Sequence, residues 1–141
     1  MTIETPSLLI TDDDAAFRET LQEVLEPQGL HTLQAEDGEQ AVRIIRTEVV
    51  HLVLLDMHMP KLTGLETLRL VKQIKALLPC ILLSADLDEL TIQQAQRAHA
   101  FSVLRKPVSR QQITGVVFQA LETTYNWKRT WKGPLGHTSE A

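Results

Sequence analysis

The chain has 141 residues, 43% of them hydrophobic and 23% charged, with a formal net charge of -4. These values are typical of one ordinary globular domain and argue against a disordered chain or a general affinity for nucleic acid. The single cysteine, Cys80, excludes an intrachain disulfide and favours the cytoplasm, and without a signal-peptide pattern or a run of about 18 apolar residues we expect neither export nor a membrane span.

The first predicted strand, residues 7–11, is short and apolar and ends at three consecutive acids, Asp12, Asp13 and Asp14. A stripe of apolar residues at helical spacing follows it, and Pro27 and Gly29 end the predicted helix. This stripe consists of Phe17, Leu21, Val24 and Leu25. An aspartate before the helix can cap its free N–H groups. The acids therefore lie at a predicted turn from strand to helix.

The same alternation continues along the chain. Further strands are predicted at 30–35, 52–55, 80–83 and 101–104. A turn at 36–38 follows the first of these, and Asp56, Ser84 and Lys106 come at or just after the ends of the other three. Apolar residues at helical spacing lie between and after these strands. In 88–98 the apolar side is thin, with only Leu90, Ala95 and Ala98. The stripes of the other three helices are Ala41, Ile44 and Ile45; Leu65, Leu68, Val71 and Ile74; and, clearest of all, Ile113, Val116, Val117, Ala120 and Leu121.

Five strands that alternate with five helices predict an α/β fold, in which a parallel sheet carries helices on both faces. The run 52–55 is wholly apolar and stops at one carboxylate, which is typical of a strand buried on both faces. Such sheets bind ligands beyond the carboxyl ends of their strands. Asp56 is therefore the predicted centre of the chemistry.

Five polar side chains follow the carboxyl ends of the predicted strands and would share one edge of the sheet: Asp12, Asp13, Asp56, Ser84 and Lys106. Crowded carboxylates repel one another unless a cation binds between them, and Mg²⁺ prefers oxygen ligands. With a lysine ammonium beside it, such a site could accept a phosphoryl group by in-line attack of a carboxylate. Each residue alone has a plainer explanation, as a helix cap, a turn residue or a surface charge.

Five short motifs occur in an order that resembles the receiver domain of two-component response regulators, of the chemotaxis-response-regulator type. They are residues 8–14, 36–41, 52–60 with Gly64 and Leu65, 82–85 and 105–107. The resemblance implies a flavodoxin-like (βα)5 three-layer sandwich with parallel strand order 2-1-3-4-5. It also implies a receiver domain at 1–125, followed by a polar tail or the start of a linker at 126–141.

The resemblance further implies roles for individual residues. Asp56 would accept a phosphoryl group from a sensor histidine kinase or a histidine phosphotransfer protein. Asp13 and Asp56 would bind Mg²⁺ directly, together with the backbone carbonyl of His58, and Asp12 would act largely through water. These residues form the predicted metal site.

Ser84 and Lys106 would hold the phosphoryl group, and the peptide bond between Lys106 and Pro107 would be cis. Accepting and hydrolysing phosphate would be the only chemistry of such a domain, whose output is a change in its binding surface. Its downstream target is open, and a homodimer is one possibility.

The sequence departs from the family pattern at the switch position, where receivers usually carry Tyr or Phe and this chain has Val103. Phe101 lies two residues earlier and is predicted to point to the same side of the strand. His58 and Asp86 occupy positions that, in the family, tune the rate of phosphate hydrolysis. The fourth helix and the fifth strand would form the surface that changes on phosphorylation, and the way in which this surface changes is left open.

Two other functions are alternatives. An aspartyl-phosphate phosphohydrolase of the haloacid-dehalogenase type needs a second Asp two residues after its nucleophile, where this chain has His58. A receiver that has lost phosphorylation would act as a phosphorylation-independent interaction domain. A continued last helix would place Trp127 and Trp131 on one side, where they would pack on this domain or a symmetry mate, or bind a partner.

Overall fold

The computed structural model describes residues 3–129, and within them the chain forms five strands and five helices. The strands are β1 Ser7–Thr11, β2 His31–Ala35, β3 Leu52–Asp56, β4 Cys80–Ser84 and β5 Ser102–Arg105. The helices are α1 Ala15–Leu25, α2 Gly38–Thr47, α3 Gly64–Ile74, α4 Glu89–Arg97 and α5 Arg110–Tyr125. A short 3-10 turn, Glu26–Gln28, follows α1, and Gly29 ends it with a φ of 91°.

The strands of the described chain form one parallel sheet in the order β2-β1-β3-β4-β5. This is the flavodoxin-like order that the resemblance implied, and it is confirmed. In register, Thr11 at the end of β1 pairs with Leu55 of β3, and Asp56 pairs with Leu83 of β4. The carboxyl ends of the strands thus meet at one edge of the sheet.

Side chains alternate between the two faces of the sheet and form a core on each face. Leu8, Ile10, Leu52 and Leu54 pack with α1 and α5, whereas Leu9, Val53 and Leu55 pack with α2, α3 and α4. β3 and β4 are buried throughout, as expected for central strands covered on both sides. Cys80 lies in the core on the α2, α3 and α4 face of the sheet. Burial raises the pKa of its thiol to about 12, so it acts as a small apolar residue.

A side chain of the preceding residue caps the first turn of each of these helices. Asp14 accepts hydrogen bonds from the first turn of α1, and the same arrangement begins each of the other four helices, with Asp37, Thr63, Asp88 and Ser109 as the caps. These caps satisfy N–H groups that lack a partner inside the helix. Helices α1 and α3 therefore begin at fixed points close to the carboxyl ends of β1 and β3.

Three details differ from the sequence-based predictions. Leu90 is 61% exposed, so the buried part of α4 is Ala95 alone. Phe101 precedes β5 and packs on the α1 and α5 side, whereas Val103 packs on the opposite side, because strand alternation does not extend to residue 101.

The third difference is the end of α5. The helix stops at Tyr125 because Asn126 adopts a left-handed conformation, with φ at 57°, so Trp127 is not part of a continued helix. Trp127 instead packs on the first core, with its ring centroid 5.9 Å from that of Phe118. The prediction that it packs on its own domain is confirmed, while Trp131 lies outside the described residues.

No helix within residues 3–129 is long and apolar enough to cross a membrane.

Candidate functional site

Three aspartates meet at the carboxyl edge of the sheet. Asp12 and Asp13 follow β1, and Asp56 is the last residue of the neighbouring strand β3. One carboxylate oxygen from each lies within 4.8 Å of the others. Asp12 and Asp56 are buried and Asp13 is exposed. The cluster therefore has one side open to solvent and two carboxylates fixed in the protein.

Lys106, which follows the edge strand β5, contacts two carboxylates of this cluster. Its Nζ atom lies 2.9 Å from Asp12 Oδ2 and 2.9 Å from Asp56 Oδ1. The backbone N–H of Lys106 donates to the carbonyl of Ser84, which ties the lysine to the end of β4. The peptide bond between Lys106 and Pro107 is cis, as the resemblance implied. One ammonium thus bridges two of the three carboxylates.

Burial and charge oppose each other at this site. Burial raises the pKa of the Asp56 carboxyl, the hydrogen bond from Lys106 lowers it, and the negative charges of Asp12 and Asp13 raise it further, with a net upward shift. For Lys106, burial alone would lower the pKa, but the contacts with Asp56 and Asp12 outweigh it and the net shift is upward. The site therefore disfavours unpaired negative charge and favours the charged lysine.

Asp12 is held by its own turn. Its Oδ1 accepts a 2.9 Å hydrogen bond from the N–H of Asp14, while its backbone carbonyl accepts one of 2.6 Å from Arg18. Arg18 also donates to the side chain of Gln34 on β2. These contacts leave Asp12 Oδ2 directed at Lys106.

Ser84 is fully buried at the end of β4, and its backbone carbonyl accepts a hydrogen bond from the N–H of Lys106. Its hydroxyl donates to the carbonyl of Asp86 at 3.0 Å and accepts from the N–H of Asp86 at 3.1 Å. The hydroxyl is thus engaged with its own loop in this structure. His58 and Asp86 stand at the solvent side, with side chains 62% and 90% exposed and 4.0 Å between His58 Nε2 and Asp86 Oδ2.

The loop after Asp56 turns back closely on the strand. The N–H of Gly64 donates to the carbonyl of Met57 at 2.8 Å. A Cβ atom at Gly64 would collide with the backbone carbonyl oxygen of Asp56 and would lie 2.8 Å from Met57 Cα. The absence of a side chain at Gly64 therefore permits α3 to begin against the backbone of the central aspartate.

Most residues of this assembly were predictable from the sequence, whereas the contributions of three others were not. Asp12, Asp13, Asp56 and Lys106 are brought together, Ser84 lies next to Lys106, and the metal-binding role of the His58 backbone carbonyl stays a prediction. Arg18 and Phe17 were not predicted as site residues, and Gly64 was noted only as part of a motif, without a role at the site. The Phe17 ring centroid lies 4.2 Å from Lys106 Nζ, although the sequence placed Phe17 only in an apolar helix stripe.

The donor set fits a hard divalent cation. Three carboxylates can each offer an oxygen ligand, and the ammonium of Lys106 leaves two of their negative charges uncompensated. Mg²⁺ is bound in proteins by one or a few carboxylates and retains several waters, for which the exposed side at Asp13 leaves room. The residues present therefore suit Mg²⁺.

Comparison with known proteins agrees with this geometry. Residues 8–118 match the family described as response regulator receiver domain. Response regulator RR06 of Streptococcus pneumoniae is 34% identical over 103 residues, which are 73% of this chain and 47% of that protein. Sporulation initiation phosphotransferase F of Bacillus subtilis is 34% identical over 119 residues, which are 84% of this chain and 96% of that protein.

A solved structure gives the same result for the fold. The signal receiver domain of an HD domain-containing protein from Pseudomonas fluorescens Pf-5 superposes with a TM-score of 0.82 at 27% identity, covering 87% of this chain and 99% of that one. The sequence match, the strand order and the acidic cluster with its lysine all indicate the same family. The chain belongs to the response regulator receiver domain family.

Proposed function

We propose that this chain is a phosphorelay receiver in which Asp56 accepts a phosphoryl group from a sensor histidine kinase or a histidine phosphotransfer protein. The observation that carries the proposal is the position of Asp56. It is buried at the end of a central strand, paired with Lys106 at 2.9 Å and beside Asp12 and Asp13. Strongly paired, buried titratable groups of this kind are characteristic of functional sites.

In the proposed reaction a carboxylate oxygen of Asp56 attacks the phosphorus of the donor. An O–P bond forms, the bond from phosphorus to the donor nitrogen or oxygen breaks, and the leaving group departs with the electron pair. Lys106 lies within reach of Asp56 and would donate to an oxygen of the arriving phosphoryl group. Ser84 would do the same after its hydroxyl leaves the backbone of Asp86.

Receiver domains bind Mg²⁺ at an acidic pocket, and this chain has a suitable cluster. We propose that Asp13 and Asp56 bind the ion directly with the backbone carbonyl of His58, and that Asp12 acts largely through water. When bound, Mg²⁺ neutralises negative charge on the carboxylates and on the incoming phosphoryl oxygens. Asp12 meanwhile holds Lys106 at the edge of the site.

Receiver domains are not enzymes in the ordinary sense. The chemistry proposed for this chain is limited to its own phosphorylation and the hydrolysis of its own acyl phosphate. The response would be a change of binding surface, read by a downstream domain or protein, and the cytoplasm is the proposed location. A phosphohydrolase is not favoured, because the residue two after Asp56 is the exposed His58 and not a carboxylic acid.

The proposal is tested by incubating the protein with acetyl phosphate, with Mg²⁺ or with EDTA, and measuring the intact mass. We expect one phosphoryl group to be added to the wild type in Mg²⁺ only. Asp56→Asn should remain unmodified, while Glu23→Gln, which removes an exposed carboxylate of α1, should be modified like the wild type. Addition to Asp56→Asn would contradict the proposed acceptor, and no addition to folded wild type would favour a phosphorylation-independent interaction domain.

A further inference from the structure

The Lys106 ammonium has a third neighbour besides its two carboxylates. Its Nζ atom lies 4.2 Å from the centroid of the Phe17 ring, over the ring face. A cation in this position is attracted by the negative face of the aromatic quadrupole. The ammonium is thus held by Asp12, Asp56 and the ring together.

The ring itself is fixed by its surroundings. Phe17 is the third residue of α1, and its backbone N–H donates to the capping carboxylate of Asp14 at 3.3 Å. Its side chain is half-buried and packs against the core on the α1 and α5 face. The turn that presents the acids after β1 therefore also places an aromatic ring against Lys106.

We propose that Phe17 is a positioning residue for Lys106, whose ring keeps the ammonium at the site while the partner of that ammonium changes from the Asp56 carboxylate to the phosphoryl group. This inference rests on the proposed function, because it concerns the same lysine and the same acceptor.

The reason lies in what happens to the ion pair during the reaction. When an oxygen of Asp56 forms a bond to phosphorus, that carboxylate loses its negative charge and its attraction for Lys106 decreases. The attraction of the Phe17 ring does not depend on the charge of Asp56. Lysine has a long flexible side chain, so a contact that persists through the step reduces the freedom that must be lost to hold the phosphoryl group.

Substitution of Phe17 distinguishes two roles for its ring, which are filling space in the core and holding the Lys106 ammonium. If the ring only fills space in the core, Phe17→Leu should be nearly equivalent, since leucine retains most of the apolar contact. If the ring face holds the ammonium, leucine should be deficient, whereas Phe17→Tyr should behave like the wild type because it retains the ring. Urea unfolding of both variants checks that each is folded.

The measurement is the rate of phosphorylation by acetyl phosphate at saturating Mg²⁺. We expect Phe17→Leu to be about threefold slower than the wild type, the low end for a cation–π contact, and Phe17→Tyr to match the wild type. In a Lys106→Met background, Phe17→Leu should cause no further decrease, because the lysine through which it acts is gone. Equal rates for wild type and Phe17→Leu, or a further threefold loss in the double variant, would overturn the inference.

A second readout is spectroscopic. Protons on Cε of Lys106 should be shifted upfield in the NMR spectrum of the wild type by the ring current of Phe17, and should return to ordinary values in Phe17→Leu. Ordinary shifts in the wild type would also overturn the inference. These failures are distinct from failure of the proposed function, which would appear as phosphorylation of Asp56→Asn.

Discussion

Lys106 Nζ lies 2.9 Å from Asp56 Oδ1, although Lys106 follows β5 and Asp56 ends β3, and β4 lies between these two strands in the sheet. The lysine reaches across the end of β4 and also contacts Asp12, which follows β1, at 2.9 Å. The same ammonium therefore compensates the charge that a bound cation would compensate. Lysine and metal are expected to compete for these oxygens before any phosphoryl group arrives.

This competition predicts opposite effects of Lys106→Met on two measurements. Removal of the positive charge should tighten Mg²⁺ binding by about tenfold, as expected for one charge a few ångströms away in a partly solvated site. Phosphorylation should nevertheless become slower, because the phosphoryl group loses a donor. Isothermal titration calorimetry measures the first effect and acetyl phosphate labelling the second.

The matched control is Lys61→Met. Lys61 also lies beside two carboxylates, 3.4 Å from Asp37 and 3.4 Å from Glu39, but outside the acidic cluster. We expect its Mg²⁺ affinity to stay close to that of the wild type. Weaker Mg²⁺ binding in Lys106→Met than in the control would contradict competition at Asp12 and Asp56.

Gly64 predicts a local steric effect on the site. In Gly64→Ala the new Cβ would collide with backbone atoms of Asp56 and Met57, which cannot move without displacing β3 or the start of α3. We expect a loss of about 2 kcal/mol in the free energy of unfolding and slower phosphorylation. Gly115→Ala is the control, since nothing lies within 4 Å of its Cβ position in α5, and it should stabilise the protein by about 0.5–1 kcal/mol. Equal stability of the two variants would be contrary to this account.

The buried hydroxyl of Thr11 suggests a stabilising substitution beside the site. Among the described residues its buried hydroxyl oxygen has no hydrogen-bond partner. Thr11→Val keeps the shape and removes the unpaired group, so we expect a gain of about 1 kcal/mol in the free energy of unfolding. Thr32→Val should instead cost about 1 kcal/mol, because the Thr32 hydroxyl donates to Glu26 at 2.7 Å. Urea denaturation measures both, and a loss of stability in Thr11→Val would show that its hydroxyl is satisfied in solution.

His51 predicts a pH dependence of stability. Its Nδ1 accepts a 2.9 Å hydrogen bond from the N–H of Ser7, and burial, followed by the charge of Lys75, lowers the pKa of the ring from its ordinary value of 6.5. The unfolded chain then binds a proton more readily than the folded chain, so stability should fall as the pH decreases below 6.5. His51→Asn should have a flatter profile in denaturation over this range. Parallel profiles for the two proteins would exclude His51 as the cause.

The arrangement of the elements was largely predictable from the sequence. Continuous apolar runs such as 52–55 indicate central parallel strands, and the strand order followed from the resemblance. The acids and Lys106 could be grouped because parallel strands end at a common edge. For these residues the position along the chain nearly determines the position in space.

Contacts that depend on distant side chains could not be predicted in this way. Helical spacing placed Phe17 on the core side of α1, but it gives no information about the residue that faces the ring, which is Lys106. Likewise helical spacing placed Leu90 on the apolar side of its helix, whereas within the described residues its side chain is exposed. The end of α5 depended on the left-handed backbone of Asn126, which propensity does not determine.

Asp56 is the proposed carrier of the phosphoryl group, and chemical mapping of the modified residue tests this directly. The wild type, labelled with acetyl phosphate and Mg²⁺, is reduced with borohydride, which converts an aspartyl phosphate into homoserine, and its peptides are sequenced by tandem mass spectrometry. We expect homoserine at position 56 and unmodified aspartate at Asp12, Asp13 and Asp86. Homoserine at any of those three positions, with Asp56 intact, would contradict the proposal.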